Sequence, residues 1–201
     1  NLINQLLGFR KAENKGFKLN PKEYNIGTIV HSVYKYFTTL AKQRGIKFEV
    51  EVPEEELLAS VDKEALTKIL SNLFANALKY ARTYVYLHLS VDEKNEVFTI
   101  SMSNDGNIVP IEMRENIFKA FVQYRDGKDI VSGTGIGLAM ARYLAELHQG
   151  MLVMDRELDC NRFILSIPIL HQTLPDDSEE QHKKPGYDNE AVSYTHLRAH
   201  E

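Results

Sequence analysis

The sequence predicts an α/β protein in two layers, a mixed and mostly antiparallel sheet packed against three main helices. Three observations predict it. Segments near 21–44, 62–81 and 136–148 carry apolar residues at helical spacing. Segments at 47–52, 84–91, 97–103, 151–156 and 162–169 alternate or run apolar over strand lengths. The 201 residues are 43% hydrophobic and 26% charged, enough apolar material for a packed core. An amphipathic helix and a sheet with one apolar face each need a covering layer, and here each can cover the other.

The elements follow in order. Leu2, Ile3, Leu6, Leu7 and Phe9 fit the end of an amphipathic helix. From Pro21 to Arg44, residues Ile26, Ile29, Val30, Val33, Phe37 and Leu40 form one stripe, with Asn20-Pro21 as cap and first turn and Gly45 as stop. KFEVEV (47–52) alternates as a strand, and LLASV (57–61) is a short strand. Asp62 caps a helix running to about Ala81. YVYLHLSV and VFTISMS flank a DEKN turn and form a hairpin. A short helix is expected over 111–121, a loop over VQYRDGKDIVSGT, a helix from Ile136 to His148 ending at Gly150, and a final strand pair in MLVMDR and RFILSIPI.

Composition excludes several classes. The net charge is −4, with no basic excess for nucleic acid. Cys160 is the single cysteine, so no internal disulfide framework exists and a reducing compartment fits. No run of about 18 apolar residues marks a membrane span. The start, NLINQLLGFRK, has neither methionine nor signal-peptide character, as expected of a cut through a longer protein. After His171 the composition turns charged, and PDDSEEQHKKPGYDNE reads as a disordered linker. From Ala191 onward, ending in SYTHLRAHE, the chain reads as a translated sequencing adapter. The expected division is therefore 1–16, 17–171, 172–190 and 191–201.

Four stretches carry chemistry. In SNLFANALKY (71–80), Asn72, Asn76, Lys79 and Tyr80 share one helix face beside the apolar stripe of Leu66, Ile69, Leu70, Leu73 and Ala77. Amide oxygens suit a hard cation such as Mg²⁺, and a lysine supplies a point charge for a phosphate; a solvated flank is the plainer reading. SNDGNIVP (103–110) follows a strand, where Gly106 permits close approach or simply makes a turn. In SGTGIGLAMAR (132–142), Gly133, Gly135 and Gly137 precede a helix whose N-terminus favours an anion. It lacks the Gly-Lys-Ser/Thr of the common phosphate loop and the immediately preceding strand of a dinucleotide fold. In IFKAFVQY (117–124), Phe118 and Phe121 could anchor the base of the following loop, or be core aromatics.

In this order the four stretches resemble the catalytic ATP-binding domain of sensor histidine kinases, in the superfamily that includes DNA gyrase, heat-shock chaperone ATPases and mismatch-repair ATPases. NLFANALKY looks like the asparagine box, NDGNIVP the first glycine box, IFKAF the phenylalanine box and GTGIGLAMAR the later glycine box. The likeness covers about 17–170. The resemblance implies the Bergerat-type ATP-binding fold, with residues 1–16 as the end of a dimerising helical hairpin. It is closest to hybrid two-component sensors, in which a receiver follows; the linker after His171 lies where a receiver would join. It implies ATP and Mg²⁺ as ligands and a cytoplasmic domain of a membrane-anchored sensor, with no direct nucleic-acid contact by this segment.

The resemblance also implies roles. Asn76 coordinates Mg²⁺, with Asn72 beside it near the phosphates; Lys79 and Tyr80 contact phosphate and the nucleotide edge. Asn104 stands where the family usually has the aspartate that accepts the adenine amino group. Gly106 matches the next glycine, while Ile108 replaces a further one. Gly133, Gly135, Gly137 and Leu138 line the phosphates, Thr134 offers a hydroxyl, Phe118 and Phe121 flank the nucleotide loop, and Arg125 and Lys128 are lid cations, the lid spanning about Val122 to Gly133.

Phosphoryl transfer and hydrolysis both need such a site, but hydrolysis also needs a group to activate water. In hydrolysing relatives a glutamate stands one turn before the metal-binding asparagine; here that residue is Asn72. The reading is therefore a protein-histidine kinase domain, with a non-catalytic docking module as alternative. None of the seven histidines is followed by the family's acidic residue and nearby proline. The acceptor is expected upstream of Asn1, on a hairpin of the same chain or its dimer partner.

Overall fold

The computed structural model describes residues 18–123, 133–155 and 159–169. The elements are β1 (Lys22–Asn25), α1 (Ile26–Gln43), β2 (Lys47–Glu51), β3 (Leu58–Val61), α2 (Lys63–Tyr80), β4 (Tyr84–Asp92), β5 (Val97–Asn104), two 3₁₀ turns (Ile111–Met113 and Asn116–Phe118), α3 (Gly137–Leu147), β6 (Met151–Met154) and β7 (Asn161–Pro168). The main sheet has the order β2-β4-β5-β7-β6, in which only the β2–β4 pair is parallel. Period-two alternation puts Val85, Leu87 and Leu89, Phe98, Ile100 and Met102, and Phe163, Leu165 and Ile167 on the helix side. They are buried there against α2, whose Leu66, Ile69, Leu70, Leu73 and Phe74 are fully enclosed. Each such side chain contributes about 2 kcal/mol. Aromatic contacts of Phe74 with Phe37 and with Phe48 tie α1 and β2 to α2.

Three expectations need correction. Lys22–Asn25 is a strand rather than the first turn of a helix; it pairs antiparallel with β3, Lys22 opposite Val61 and Asn25 opposite Leu58. Tertiary pairing thus overrides the Asn20-Pro21 signal, and the helix starts five residues later under Asn25, whose side chain accepts from the Thr28 amide at 3.2 Å. Along the helix the buried stripe passes from Phe37 to Ala41, four residues on, and Leu40 is exposed. Over 111–121 there is no regular helix, because the chain wraps around the buried Arg114. That guanidinium donates to Val109 O at 3.0 Å and to Asp155 O at 2.5 Å.

Candidate functional site

Helix α2 presents the asparagine face because its neighbouring face is committed to the core. Asp62 starts it by accepting from the Ala65 amide at 3.0 Å. Burial alone would raise the Asp62 pKa, but amides of Asn20, Ala65 and Glu64 hold the carboxyl below its ordinary value. His148, at the far end of α3, accepts from the Asp62 amide through Nε2 at 3.1 Å, and its Nδ1 lies 2.7 Å from Leu144 O. At the other end of α2, Arg44 donates to Leu78 O at 2.6 Å and Lys79 O at 3.3 Å. A cation thereby satisfies carbonyls at the negative end of the helix. Between these clamps Asn72, Asn76 and Lys79 are half-buried and Tyr80 is exposed, with the Lys79 ammonium 4.8 Å from the Tyr80 ring centre.

The glycine-bearing segment lies against that face. A Cβ on Gly133 would stand 2.7 Å from Lys79 Nζ, and one on Gly137 would stand 2.9 Å from Asn72 Oδ1. Gly135 has φ +69° and its backbone abuts Phe121, whose amide donates to Gly135 O at 2.9 Å; a side chain at Gly135 would be both strained and obstructed. Thr134 Oγ1 accepts from the Ile136 amide at 3.3 Å. The N-cap residue Ile136 provides no side-chain cap, and the first residue of α3, Gly137, lies at this junction with the partial positive charge of a helix N-terminus. Leu138 packs partly into the core.

The third wall is the turn after β5. Gly106 lies so close to Tyr80 that a Cβ would be 2.3 Å from Tyr80 O. Asp105 holds the turn against the α2–β4 connection. It accepts from the amides of Arg82, Thr83 and Tyr84 and from Thr83 Oγ1 at 2.5 Å. Burial pushes its pKa upward, but the Thr83 hydroxyl and these amides more than offset it and hold the carboxyl far below the carboxylate range. Asn104 is buried, and its Oδ1 accepts from the Gly106 amide at 3.1 Å and from Asn161 Nδ2 at 3.4 Å. Asn161 also accepts from the Val109 amide at 3.0 Å and donates to Asn107 O at 2.9 Å. Asn104 and Asn161 are direct partners across β5 and β7.

The structure thus brings Asn72, Lys79, Tyr80, Gly106, Gly133 and Gly137 into contact, with Asn76 on the same face one turn from Asn72 and from Tyr80. Phe118 and Phe121 part ways. Phe118 is withdrawn into the core, edge-on to Phe163 and beneath the Arg142 guanidinium, so it anchors the segment from within. Arg142 also forms an ion pair with Glu115. Phe121 is 60% exposed at φ +67°. Ile108 is exposed on the turn. Arg125 and Lys128 lie outside the described residues, as do 124–132 of the expected lid and residues 1–16. Sequence reasoning missed Asp105, Asn161, Arg44 and Arg114. Asn161 did leave a signal, a polar residue in phase with the buried Phe163, Leu165 and Ile167.

Residues 61–171 match the family described as histidine kinase-, DNA gyrase B-, and HSP90-like ATPase. The chain belongs to that family. Histidine kinase P4 of Formosa agariphila is 28% identical over 180 residues, covering 87% of this chain and 13% of that protein. Sensor histidine kinase WalK of Bacillus subtilis is 27% identical over 157 residues, covering 77% of this chain and 26% of WalK. The chain therefore spans about an eighth to a quarter of the length of these curated relatives. Full-length ShkA, solved with AMPPNP, superposes with a TM-score of 0.74 at 25% identity over 83% of this chain and 35% of that one. The catalytic domain of the histidine kinase ThkA shares the fold, with a TM-score of 0.65 at 24% identity over 75% of this chain and 97% of that one. With the four motifs in place on this fold, the chain is an ATP-binding catalytic domain of the sensor histidine kinase type.

Proposed function

We propose that the crevice between α2, the β5 turn and the start of α3 binds Mg·ATP and delivers its γ-phosphoryl group to a histidine on an upstream helical hairpin, of the same chain or a dimer partner. One observation carries this reading: the asparagine face and the glycine segment touch, through Lys79 at Gly133 and Asn72 at Gly137. Lys79 and the open amide end of α3 would hold the phosphates; Tyr80, Asn104 and Gly106 would border the base. The donor set fits magnesium. Among the described residues no cluster of three or more His, Cys, Asp or Glu could hold a metal. The carboxamide of Asn76 offers one hard oxygen, which suits an ion that retains waters and shares phosphate oxygens. When bound, that ion would neutralise charge on the phosphates.

Transfer breaks the γ-phosphorus bond to the bridging oxygen, forms a nitrogen–phosphorus bond on the imidazole and releases ADP. With ATP held and its charge balanced, the remaining work is alignment. Asn72 cannot take a proton from water at neutral pH, which favours transfer over hydrolysis. A receiver downstream, and residence on the cytoplasmic side of a membrane-anchored sensor, complete the proposal.

The test is calorimetric titration with ATP, with and without Mg²⁺, on this chain and on Asn76→Ala. Mg-dependent binding lost in the variant supports the reading. No binding, or binding indifferent to Asn76, overturns it in favour of a docking module. The chain alone should place no γ-phosphate label on its own histidines.

A further inference from the structure

Helix α2 ends in an exchange of hydrogen-bond partners, and Arg44 holds one side of it. In a helix that ran on, the amides of Arg82, Thr83 and Tyr84 would donate to the carbonyls of Leu78, Lys79 and Tyr80, four residues back. Here the chain turns extended at Ala81, with φ −58° and ψ 145°, whose own amide still keeps the helical bond to Ala77 O at 2.9 Å. The next three amides go to the Asp105 carboxylate instead, from Arg82 and Thr83 at 3.0 Å and from Tyr84 at 3.2 Å. Asp105 thus removes the donors that α2 would need to continue. Arg44 takes two of the acceptors left behind, donating through Nη1 to Leu78 O at 2.6 Å and through Nη2 to Lys79 O at 3.3 Å.

Each side chain suits its side of the break. A carboxylate only accepts, and a guanidinium only donates, from a planar fork that can span two neighbouring carbonyls. Both reach α2 from other elements. Asp105 lies in the turn after β5, and Arg44 closes α1, its amide donating to Leu40 O at 3.1 Å. The Lys47 amide adds a further bond across the break, to Thr83 O at 2.8 Å. Without Arg44 the carbonyls of Leu78 and Lys79 would turn to water, and the last turn of α2 would fray as helix ends do. That turn carries Lys79. A lysine stem is flexible, so its ammonium is placed first by where its backbone is held.

We infer that Arg44 is a positioning residue for phosphate binding: by holding the Lys79 carbonyl it fixes the last turn of α2, and with it the Lys79 ammonium beside Gly133. The inference rests on the proposed nucleotide reading, in which Lys79 holds the phosphates. Arg44 acts through Lys79, and its contribution should vanish when that ammonium is absent.

The experiment is a double-mutant cycle on Mg·ATP affinity, read by calorimetric titration of the chain, Arg44→Ala, Lys79→Ala and the double variant. Arg44→Ala should weaken Mg·ATP about fivefold in the parent chain and less than about twofold in the Lys79→Ala background. A structural arginine with no special tie to Lys79 would cost the same factor in both. A loss of about twofold or more in the Lys79→Ala background therefore overturns the inference, and so does a loss below about twofold in the parent. Should Arg44→Ala fail to fold, Arg44→Gln, which keeps part of the stem and one NH₂ group, enters the same cycle under the same criteria. A parent chain that binds no Mg·ATP defeats the nucleotide reading and this inference together; binding with additive losses defeats this inference alone.

Discussion

The β5 end of the site is built of polar side chains bonded to one another, whereas the open α3 end is built of glycine backbone beside Lys79 and Asn72. Asn104, Asn107 and Asn161 share a closed network of backbone and side-chain bonds, and Asp105 beside them is held by the amides of residues 82–84. Ile136 at the start of α3 provides no side-chain cap, and Gly133 and Gly137 leave bare backbone beside Lys79 and Asn72. A closed network sets shape and polarity; an open helix end accepts charge. In the proposed reading the base would meet a preformed surface and the phosphates the start of α3, so changes at the two ends should fail in different ways.

The comparison breaks most sharply at Gly106. Its missing Cβ makes room for Tyr80 O, and backbone cannot yield as a flexible side chain does. Gly106→Ala should cost roughly 3 kcal/mol, lower Tm by about 10 °C and abolish nucleotide binding, by thermal melting and titration. Next comes Asp105→Ala, which orphans amides of residues 82–84 and should cost about 2 kcal/mol in urea unfolding. Asp105 also sets a pH dependence. Its folded pKa lies below the ordinary 3.8, so its contribution is complete above that value and drains away as pH falls through the folded pKa. The Asp105→Ala variant should therefore lose stability less steeply between pH 5 and pH 2 than the parent chain.

At the open end, Lys79→Ala should leave Tm within about 2 °C, because Lys79 is half-buried outside the core. It should weaken ATP about tenfold or more while leaving adenosine unchanged, since it removes a phosphate charge only. The smallest effect belongs to Glu115→Ala. The Glu115 carboxylate is largely exposed, so its pair with Arg142 should contribute under about 1 kcal/mol, read from urea midpoints. A larger loss would mean that the Arg142–Phe118 stack depends on that pair.

The open end was the more legible of the two. Asn72, Asn76, Lys79 and Tyr80 obey the period of their own helix, and the glycines precede a second helix, so local spacing placed both. Most sheet strands were legible through alternation. The closed end depends on register between β5 and β7, across 57 residues separating Asn104 from Asn161, and no local pattern encodes that. The same limit hid β1, whose strand character comes from β3, and turned an expected helix at 111–121 into a wrap around Arg114. Helical spacing also could not tell that Phe118 would go inward and Phe121 outward, a divergence set by the left-handed backbone at Phe121.

The bond between the Asp62 amide and His148 joins residues 86 positions apart. It ties the residue that caps the site helix to the residue that follows α3. A nascent chain leaving the ribosome cannot complete the asparagine helix's start until α3 has emerged, and β5 lacks its β7 neighbour even then. Such distant closure disfavours stable halves and slows the search for the native arrangement. It argues that this domain acquires its shape late and all at once, only when β7 has joined β5.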